Sequence, residues 1–202
     1  MNALFLTHQR LVRGMTLIEL LITLSLTTVL VVLATPGMQS MMASSKLTSA
    51  TNELSSSLAR ARSESMRYGT RMTVCKANTT GAQCSVMPTA GWEAGWLTFQ
   101  DPTRTGTPSV DPGETITFRI EPLAPDLKIT GNGLLENYVS FASDGRSKTL
   151  ANAGLLMGKI RVCSTSTALD DDARARDLVL SATGRISIDK PPGVSASCPA
   201  PI

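Results

Sequence analysis

The stretch that decides the fold is MTLIELLITLSLTTVLVVLA, residues 15–34. Apolar and hydroxyl-bearing side chains make up almost all of it, and Glu19 is the only charged residue between Met15 and Met42. A helix that crosses the hydrocarbon core of a bilayer needs about 20 mainly apolar residues. We therefore predict a membrane-spanning helix over residues 15–42.

The residues before this stretch predict its orientation. Arg10 and Arg13 lie just ahead of Gly14, and basic residues next to a membrane segment favour the cytoplasmic side. The alternative is a cleavable secretory signal, whose apolar region is roughly 7–15 residues long and ends at a small-residue cleavage site. The apolar run here is longer, and Ala34-Thr35-Pro36 is a poor site of that kind.

Glu19 is the first residue that points to a function. A carboxylate inside a bilayer costs roughly 2.5–3.5 kcal/mol, so such a residue is a functional candidate by default. The span contains no Lys or Arg, and the partner must be another chain or a new N-terminus. Cleavage after Gly14 would create an α-amino group at Met15, four residues from Glu19. In a helical stack of subunits, the amine of one chain could neutralise the glutamate of the next.

These residues resemble the class III signal of type IV pilins and pseudopilins. The resemblance rests on a short basic leader, on Gly14-Met15-Thr16-Leu17-Ile18-Glu19, and on the long apolar run that follows. It implies that a prepilin peptidase removes residues 1–14 and N-methylates Met15, although the usual residue at that position is Phe. It extends to Pro36, because many pilins carry a helix-kinking proline there, and proline removes one helical hydrogen bond.

The helical pattern resumes after Pro36-Gly37. Apolar residues recur at spacings of three and four and form one stripe, which consists of Leu47, Ala50, Leu54, Leu58 and Ala61. Tyr68-Gly69 is a plausible end, because Gly favours the turn after a helix. We predict a helix from Met15 to Tyr68 whose second half, residues 43–69, is amphipathic and packs on a sheet.

Beyond Gly69 the apolar period changes to two, which predicts a β-rich domain over residues 70–202. Candidate strands, separated by turn-rich pieces, are Arg71–Lys76, Gly95–Gln100, Thr115–Glu121, Leu127–Thr130, Tyr138–Ala142, Leu156–Cys163, Asp177–Ser181 and Arg185–Ile188. The predicted fold class is α+β, with a long helix packed on two small antiparallel sheets. The tail from Pro191 to Ile202 is expected to be irregular.

The head carries a second resemblance. Residues 92–101, WEAGWLTFQD, resemble the W-x-x-G-W-x-x-F-x-D stretch of the GspH/FimT family of minor pilins. Asp144-Gly145-Arg146 and Thr183-Gly184-Arg185 fall where that family often has similar turns. From the residues themselves, Trp92 and Trp96 are interpreted as packing residues, with Gly95 permitting a turn or bulge.

The four cysteines all follow the membrane segment, which places them in an oxidising compartment. They allow three pairings, of which Cys75–Cys84 with Cys163–Cys198 is the simplest because both bridges stay local. A zinc site is a weak alternative, since the spacings are not C-x-x-C and the single histidine, His8, lies in the leader.

The composition excludes several classes of function. The chain has 202 residues, of which 42% are apolar and 17% charged, with a net charge of +3. It is not a charged disordered tail, and bulk charge gives no case for nucleic-acid binding. We find no phosphate-binding glycine loop and no EF-hand spacing around Asp170-Asp171-Asp172. We therefore expect no enzyme activity, no cofactor and no metal.

The family resemblance implies a minor pilin that resides in the inner membrane with a periplasmic head and then enters a pilus. Its expected partners are prepilin peptidase, other pilins and the inner-membrane assembly platform. One alternative is a GspH-like pseudopilin of a type II secretion system, although two local cysteine pairs favour the FimT/FimU-like pilus proteins of the family. Another is a pilus-tip receptor for DNA, because some FimT-like members are thought to bind DNA through Gly-Arg-x-Arg.

The DNA motif is incomplete in this chain, since Gly184-Arg185-Ile186-Ser187 has Ser187 at its second arginine position. Three other cations could compensate for it, namely Arg174, Arg176 and Lys190. Several aspartates surround them, and ordinary solvated charges are the favoured interpretation.

Overall fold

The structure is a computed structural model that describes residues 14–88 and 90–202. It divides into two compact units, the first ending at Gln39 and the second covering Ser40–Ile202. Helix α1, Leu17–Tyr68, begins in the first unit and ends in the second. It begins two residues later than predicted, because Thr16 is the capping residue: its Oγ1 accepts a hydrogen bond from the backbone N–H of Glu19 at 3.3 Å.

In the first unit, α1 is apolar on all sides and none of its residues is buried in the protein. It is long and apolar enough to cross a membrane, by length and composition. Its hydroxyl groups turn back onto the helix, as Thr23 donates to the carbonyl of Leu20 and Thr27 to that of Thr23. Such bonds satisfy polar side chains without water, as a hydrocarbon surrounding requires.

The helix continues through Pro36. Proline has no N–H, so the carbonyl of Val32 lacks its usual helical donor at this point. The hydroxyl of Thr35 donates to the carbonyl of Val31 at 2.7 Å, but this bond does not replace the donor that Val32 lacks. A kink at Pro36 stays a prediction.

The second unit holds the head half of α1 and eight strands, and each strand lies within two residues of its predicted bounds. The strands are β1 (Met72–Lys76), β2 (Trp96–Gln100), β3 (Ile116–Ile120), β4 (Leu127–Gly131), β5 (Tyr138–Phe141), β6 (Gly158–Ser164), β7 (Ala175–Leu180) and β8 (Ile186–Asp189). They form two four-stranded antiparallel sheets, ordered β3-β2-β1-β5 and β4-β6-β7-β8. The predicted α+β class with two small sheets is confirmed.

Two short 3₁₀ helices were not predicted. Trp92–Ala94 precedes β2, and Gly133–Glu136 follows β4 within the region that the sequence marked only as a turn. Each is a single turn, too short for a hydrophobic period to show in the sequence.

One apolar core joins the helix to both sheets. The predicted stripe on α1 is buried, with Leu47, Leu54 and Leu58 at most 1% exposed. These residues belong to the same cluster as Val74 and Phe99 of the first sheet and Ile129 and Val162 of the second. A second, smaller cluster joins β6 and β7 to the C-terminal tail and consists of Cys163, Ala175, Val194 and Cys198.

The C-terminal tail is irregular, as expected, but it is held at several points. Cys198 forms a disulfide with Cys163, with a Cα–Cα distance of 5.7 Å. The other disulfide, Cys75–Cys84, lies outside the tail and has a Cα–Cα distance of 5.6 Å. Arg161 donates to the carbonyl of Pro199 at 3.1 Å.

We predict that the long bridge contributes more stability than the short one. The loop-entropy relation gives about 3.8 kcal/mol for the Cys163–Cys198 loop and about 2.7 kcal/mol for the Cys75–Cys84 loop. Replacing each pair by serine in the full chain and measuring the free energy of unfolding in denaturant tests this order. Peptide mapping without reduction should recover the same two pairs, and a peptide joining Cys75 to Cys163 would contradict them.

Candidate assembly surfaces of the helix and head

The N-terminal end of α1 presents one carboxylate among exposed apolar side chains. Glu19 lies in the first helical turn and is exposed. Thr16-Leu17-Ile18-Glu19 has the spacing of a capping box, and a negative charge is favoured next to the free N–H groups of a helix. The bond to Thr16 uses only the backbone N–H of Glu19. The carboxylate itself has no partner among the described residues.

Two of the predicted processing residues fall just before the helix. Gly14 is exposed, with no atom near the position that a Cβ would take, and Met15 is 62% exposed. Both are therefore accessible to another protein in this structure. The rest of the predicted leader, which holds His8, Arg10 and Arg13, lies outside the described residues.

The tryptophan-rich stretch of the head is structural. Trp92 and Trp96 are both fully buried, and Nε1 of Trp92 donates to the carbonyl of Leu135 at 3.0 Å. Gly95, between them, has φ of +99°, and a Cβ there would overlap the carbonyl oxygen of Ile120. A residue with a side chain does not fit at this position.

Glu93, within the same stretch, connects several elements. Its Oε2 accepts from the backbone N–H of Ile129 in β4 at 2.8 Å, and its carbonyl accepts from the N–H of Leu123 at 2.9 Å. Sequence reasoning missed this role, because the partners lie about 30 residues away along the chain. Asp101, which ends the stretch, is 4% exposed and accepts from the hydroxyl of Thr73 at 2.7 Å.

The paired turns, residues 142–146 and 181–185, have the same construction. In each turn, the backbone carbonyl of the first residue accepts from the N–H of the fourth, and the N–H of the first donates to the carbonyl of the fifth. The fourth residue is a glycine, with φ of +74° at Gly145 and +78° at Gly184. This is a three-residue hairpin turn that ends in a glycine bulge. An arginine follows each glycine, Arg146 in one turn and Arg185 in the other.

Arg62 of α1 holds the paired turns together. Its Nε donates to the carbonyl of Gly145 at 2.9 Å, and its NH2 donates to the carbonyl of Thr183 at 3.0 Å. A Cβ on Gly184 would overlap the carbonyl oxygen of Gly145, so the two turns are in direct contact. Arg62 gave no signal in the sequence, where it is one of several charges on the polar side of a helix.

Buried charges in the head are paired with fixed partners. Arg161 forms a two-bonded pair with Asp177 at 2.7 and 2.9 Å, and this hydrogen bonding raises the pKa of Arg161. Lys76, 1% exposed, donates to the carbonyls of Met87 and Ala90, and burial lowers its pKa. These charges hold strands and loops in place.

The structure separates the four cations that the sequence proposed as DNA contacts. Arg174 is 5% exposed, and its guanidinium donates to Asp171 and to the carbonyls of Ser164, Ser166 and Leu169. Arg176 donates to the carbonyls of Ala173 and Ala175. Both guanidinium groups are thus engaged within the head, whereas Arg185 and Lys190 are exposed.

A metal centre finds no support in the part of the chain that the structure describes. No group of three or more His, Cys, Asp or Glu residues there could hold an ion. All four cysteines are in disulfides.

The architecture, a long N-terminal helix packed on two antiparallel sheets, defines a pilin-like protein. The sequence profile described as "Type II transport protein GspH" matches residues 50–184, and the profile described as "Prokaryotic N-terminal methylation motif" matches residues 9–35. The chain belongs to the GspH family. No curated protein sequence matches it.

Two solved structures are similar to the chain, and both are of the type IV minor pilin FimU of Pseudomonas aeruginosa. In space group P21 the identity is 18% and the TM-score 0.49, with 72% of this chain and 89% of that chain covered. In space group P65 the identity is 17% and the TM-score 0.47, with 70% and 91% covered.

We predict that Gly184→Ala destabilises the head more than Gly193→Ala. Both glycines have positive φ, which costs a residue with a side chain about 1–2 kcal/mol. Only at Gly184 would the added Cβ also overlap a backbone oxygen, whereas Gly193 has open space around it. Thermal unfolding of the two full-length variants measures the difference. Equal losses would show that the paired turns can separate without cost.

Proposed function

We propose that this chain is a minor pilin, which the inner membrane holds through residues 15–42 until it is incorporated into a type IV pilus. There it would initiate, cap or stabilise the fibre and so support pilus biogenesis. The observation that carries the proposal is the carboxylate of Glu19, the only charged side chain between Met15 and Met42.

The apolar half of α1 is suited to two apolar surroundings, a bilayer and the core of a fibre. A helix with large exposed side chains on every side is unstable in water and requires a bilayer or a bundle of like helices. A bilayer accepts it as a monomer, and the core of a fibre accepts it among neighbours. Association in the membrane gains little from the hydrophobic effect, because lipid is as apolar as leucine. A directed polar contact can therefore decide how neighbouring helices align.

Glu19 supplies that contact in the proposal. Cleavage after Gly14 by prepilin peptidase leaves a charged amine on Met15, which is then N-methylated and keeps its charge. The amine of an incoming chain pairs with the Glu19 carboxylate of a chain already in place, which removes two isolated charges from an apolar medium. The exposed position of Gly14 is consistent with access by the peptidase.

The topology in the proposal places the N-terminus in the cytoplasm and the head in the periplasm. The basic residues of the leader support that orientation. The two disulfides support an oxidising compartment for the head. The family and the fold are structural rather than enzymatic, and they imply contacts with other pilins and with the assembly machinery.

We predict that Glu19→Gln leaves membrane insertion intact but lowers incorporation into pili by about tenfold or more, since tenfold corresponds to ~1.4 kcal/mol. The amount of the protein in sheared pili, relative to the membrane fraction, measures this. Thr23→Val is the matched control, because it removes a hydroxyl group from the same apolar segment without changing charge. Normal incorporation of Glu19→Gln would refute the charge role.

Processing is read from the same membrane samples. The N-terminal peptide should begin at Met15 and be one methyl group heavier than the unmodified peptide. Gly14→Leu should leave the leader attached. A mature N-terminus elsewhere would contradict the assignment of Gly14.

A pseudopilin of a type II secretion system is the structural alternative, and the description of the matching family favours it. The same use of Glu19 would then build a short periplasmic fibre. Deletion of the gene distinguishes the two roles, because loss of surface pili supports the pilus role and loss of protein secretion with normal pili supports the other.

DNA binding is the other candidate, and the exposure of Arg185 beside Arg146 favours it. The full chain in detergent should then bind DNA with an affinity that falls steeply with salt, and Arg185→Gln should reduce that slope. Arg176→Gln is the control, because that side chain is engaged with backbone carbonyls. Failure to bind at low salt would end this hypothesis.

A further inference from the structure

We propose that the arginine surface, formed by Arg62, Arg146 and Arg185 at the paired turns, binds the acidic loop Asp170-Asp171-Asp172 of a second copy of this chain. The heads would then stack end to end in one direction. The inference deepens the proposed assembly role and rests on it, but it concerns contacts of the heads rather than of the membrane helix.

The arginine surface carries an excess of positive charge. The side chain of Arg146 is 63% exposed, and the guanidinium of the exposed Arg185 has no hydrogen-bond acceptor or anion among the described residues. Asp144 is the anion of the paired turns; the backbone N–H of Arg146 and the nearby Lys148 keep its pKa low. Asp144 is shared by Arg146 at 4.0 Å and Lys148 at 3.6 Å, so one carboxylate faces several cations and positive charge remains in excess. Arg62 adds to that charge while its guanidinium stays bonded to the two turns, and Arg185 is left without an anion in the described part of the chain.

A groove lies directly beside the arginine surface. The groove has a volume of about 330 Å³ and lies between α1 and the start of β8, and its lining includes Ala59, Met66 and Ile186 next to Arg62 and Arg185. Among the described residues no aromatic side chain lines it, so these residues offer no platform on which bases could stack. A cationic rim around small apolar side chains fits a folded protein loop better than a phosphate backbone.

The acidic loop lies at the other end of the head. Asp170, Asp171 and Asp172 are all exposed. Asp171 pairs with Arg174 and Asp172 accepts from the backbone N–H of Gly193, but the carboxylate of Asp170 has no cation within 4.0 Å among the described residues. Leu169, next to the loop, shares a groove with the part of α1 from Ser40 to Asn52.

The two surfaces cannot meet within one chain. Arg62 lies about 17 residues beyond Ser45 on the same helix, which corresponds to roughly 25 Å at 1.5 Å per residue. Strand β7 runs from the acidic loop towards the paired turns and separates them in the same way. Opposite charges at opposite ends of one body attract between copies, and such a head-to-tail contact can repeat from one copy to the next.

A photo-crosslinking residue at Thr183, which is exposed within the paired turns, tests the contact directly. In the full chain in detergent, we expect crosslinks from this position to a peptide of another copy that contains Asp170. Their yield should fall at high salt, because exposed charge pairs are screened.

Charge variants test whether the contact is electrostatic. Arg185→Glu and Asp170→Lys should each lower the crosslink yield by about fivefold, as expected for a partly exposed pair. The double variant R185E/D170K should regain the yield, because the charges are exchanged. The double variant K159E/D170K has the same net charge but keeps Arg185, and it should not regain the yield.

Each outcome decides the proposal. Recovery in R185E/D170K alone supports it. Absence of crosslinks to the acidic loop in the wild-type chain overturns it, as does equal recovery in K159E/D170K. Crosslinks that disappear after nuclease treatment overturn it in favour of DNA. Glu19→Gln affects none of these measurements, so failure here is distinguishable from failure of the proposed function.

Discussion

The structure of the head depends on one requirement, which is that the apolar stripe on α1 between Leu47 and Ala61 must be covered. Two four-stranded sheets cover it together, and most buried apolar residues of both belong to one cluster with the stripe. Cys163 and Ala175 belong instead to a smaller cluster with the C-terminal tail. Because the main core contains residues of the helix and of both sheets, the helix connects the two sheets. Polar contacts add direction to this packing: Lys46 pairs with Asp126 ahead of β4 at 3.1 Å, and Arg62 binds the paired turns.

Periodicity was sufficient to predict the elements of this fold but not the contacts that join them. Alternating apolar residues located all eight strands, because half-buried antiparallel strands show their period directly. The 3₁₀ helix at Trp92 and the roles of Glu93 and Arg62 were missed, since their partners are backbone groups distant in sequence. The sequence does not predict in the same way which charged side chains are exposed. Arg174 has the sequence pattern of a surface cation, but its own loop buries it.

Two requirements apply to the first turn of α1: its free N–H groups need acceptors, and the charge of Glu19 has a cost in an apolar medium. A helix start needs acceptors for its free N–H groups, and Thr16 supplies one to Glu19. A carboxylate at this position also gains from the helix dipole, by an amount of ~0.3–1 kcal/mol that is smaller than the cost of a charge in lipid. Capping alone therefore does not account for a glutamate within an apolar segment. The proposed intermolecular partner, which would neutralise the charge, would account for both the residue and its position.

In the head, by contrast, the buried charges have their partners within the same chain. Arg161, Arg174 and Lys76 are buried, and each has several acceptors within the same chain, so they fix loops and the tail without affecting neighbours. Arg185 and Asp170 are two of the exposed charges without such acceptors, and they lie beyond opposite ends of β7. A surface charge that contributes little to folding costs little to keep, yet it sets which surfaces of two molecules attract. The positions of Arg185 and Asp170, more than the total charge of the head, are therefore what the proposed contact between two copies depends on.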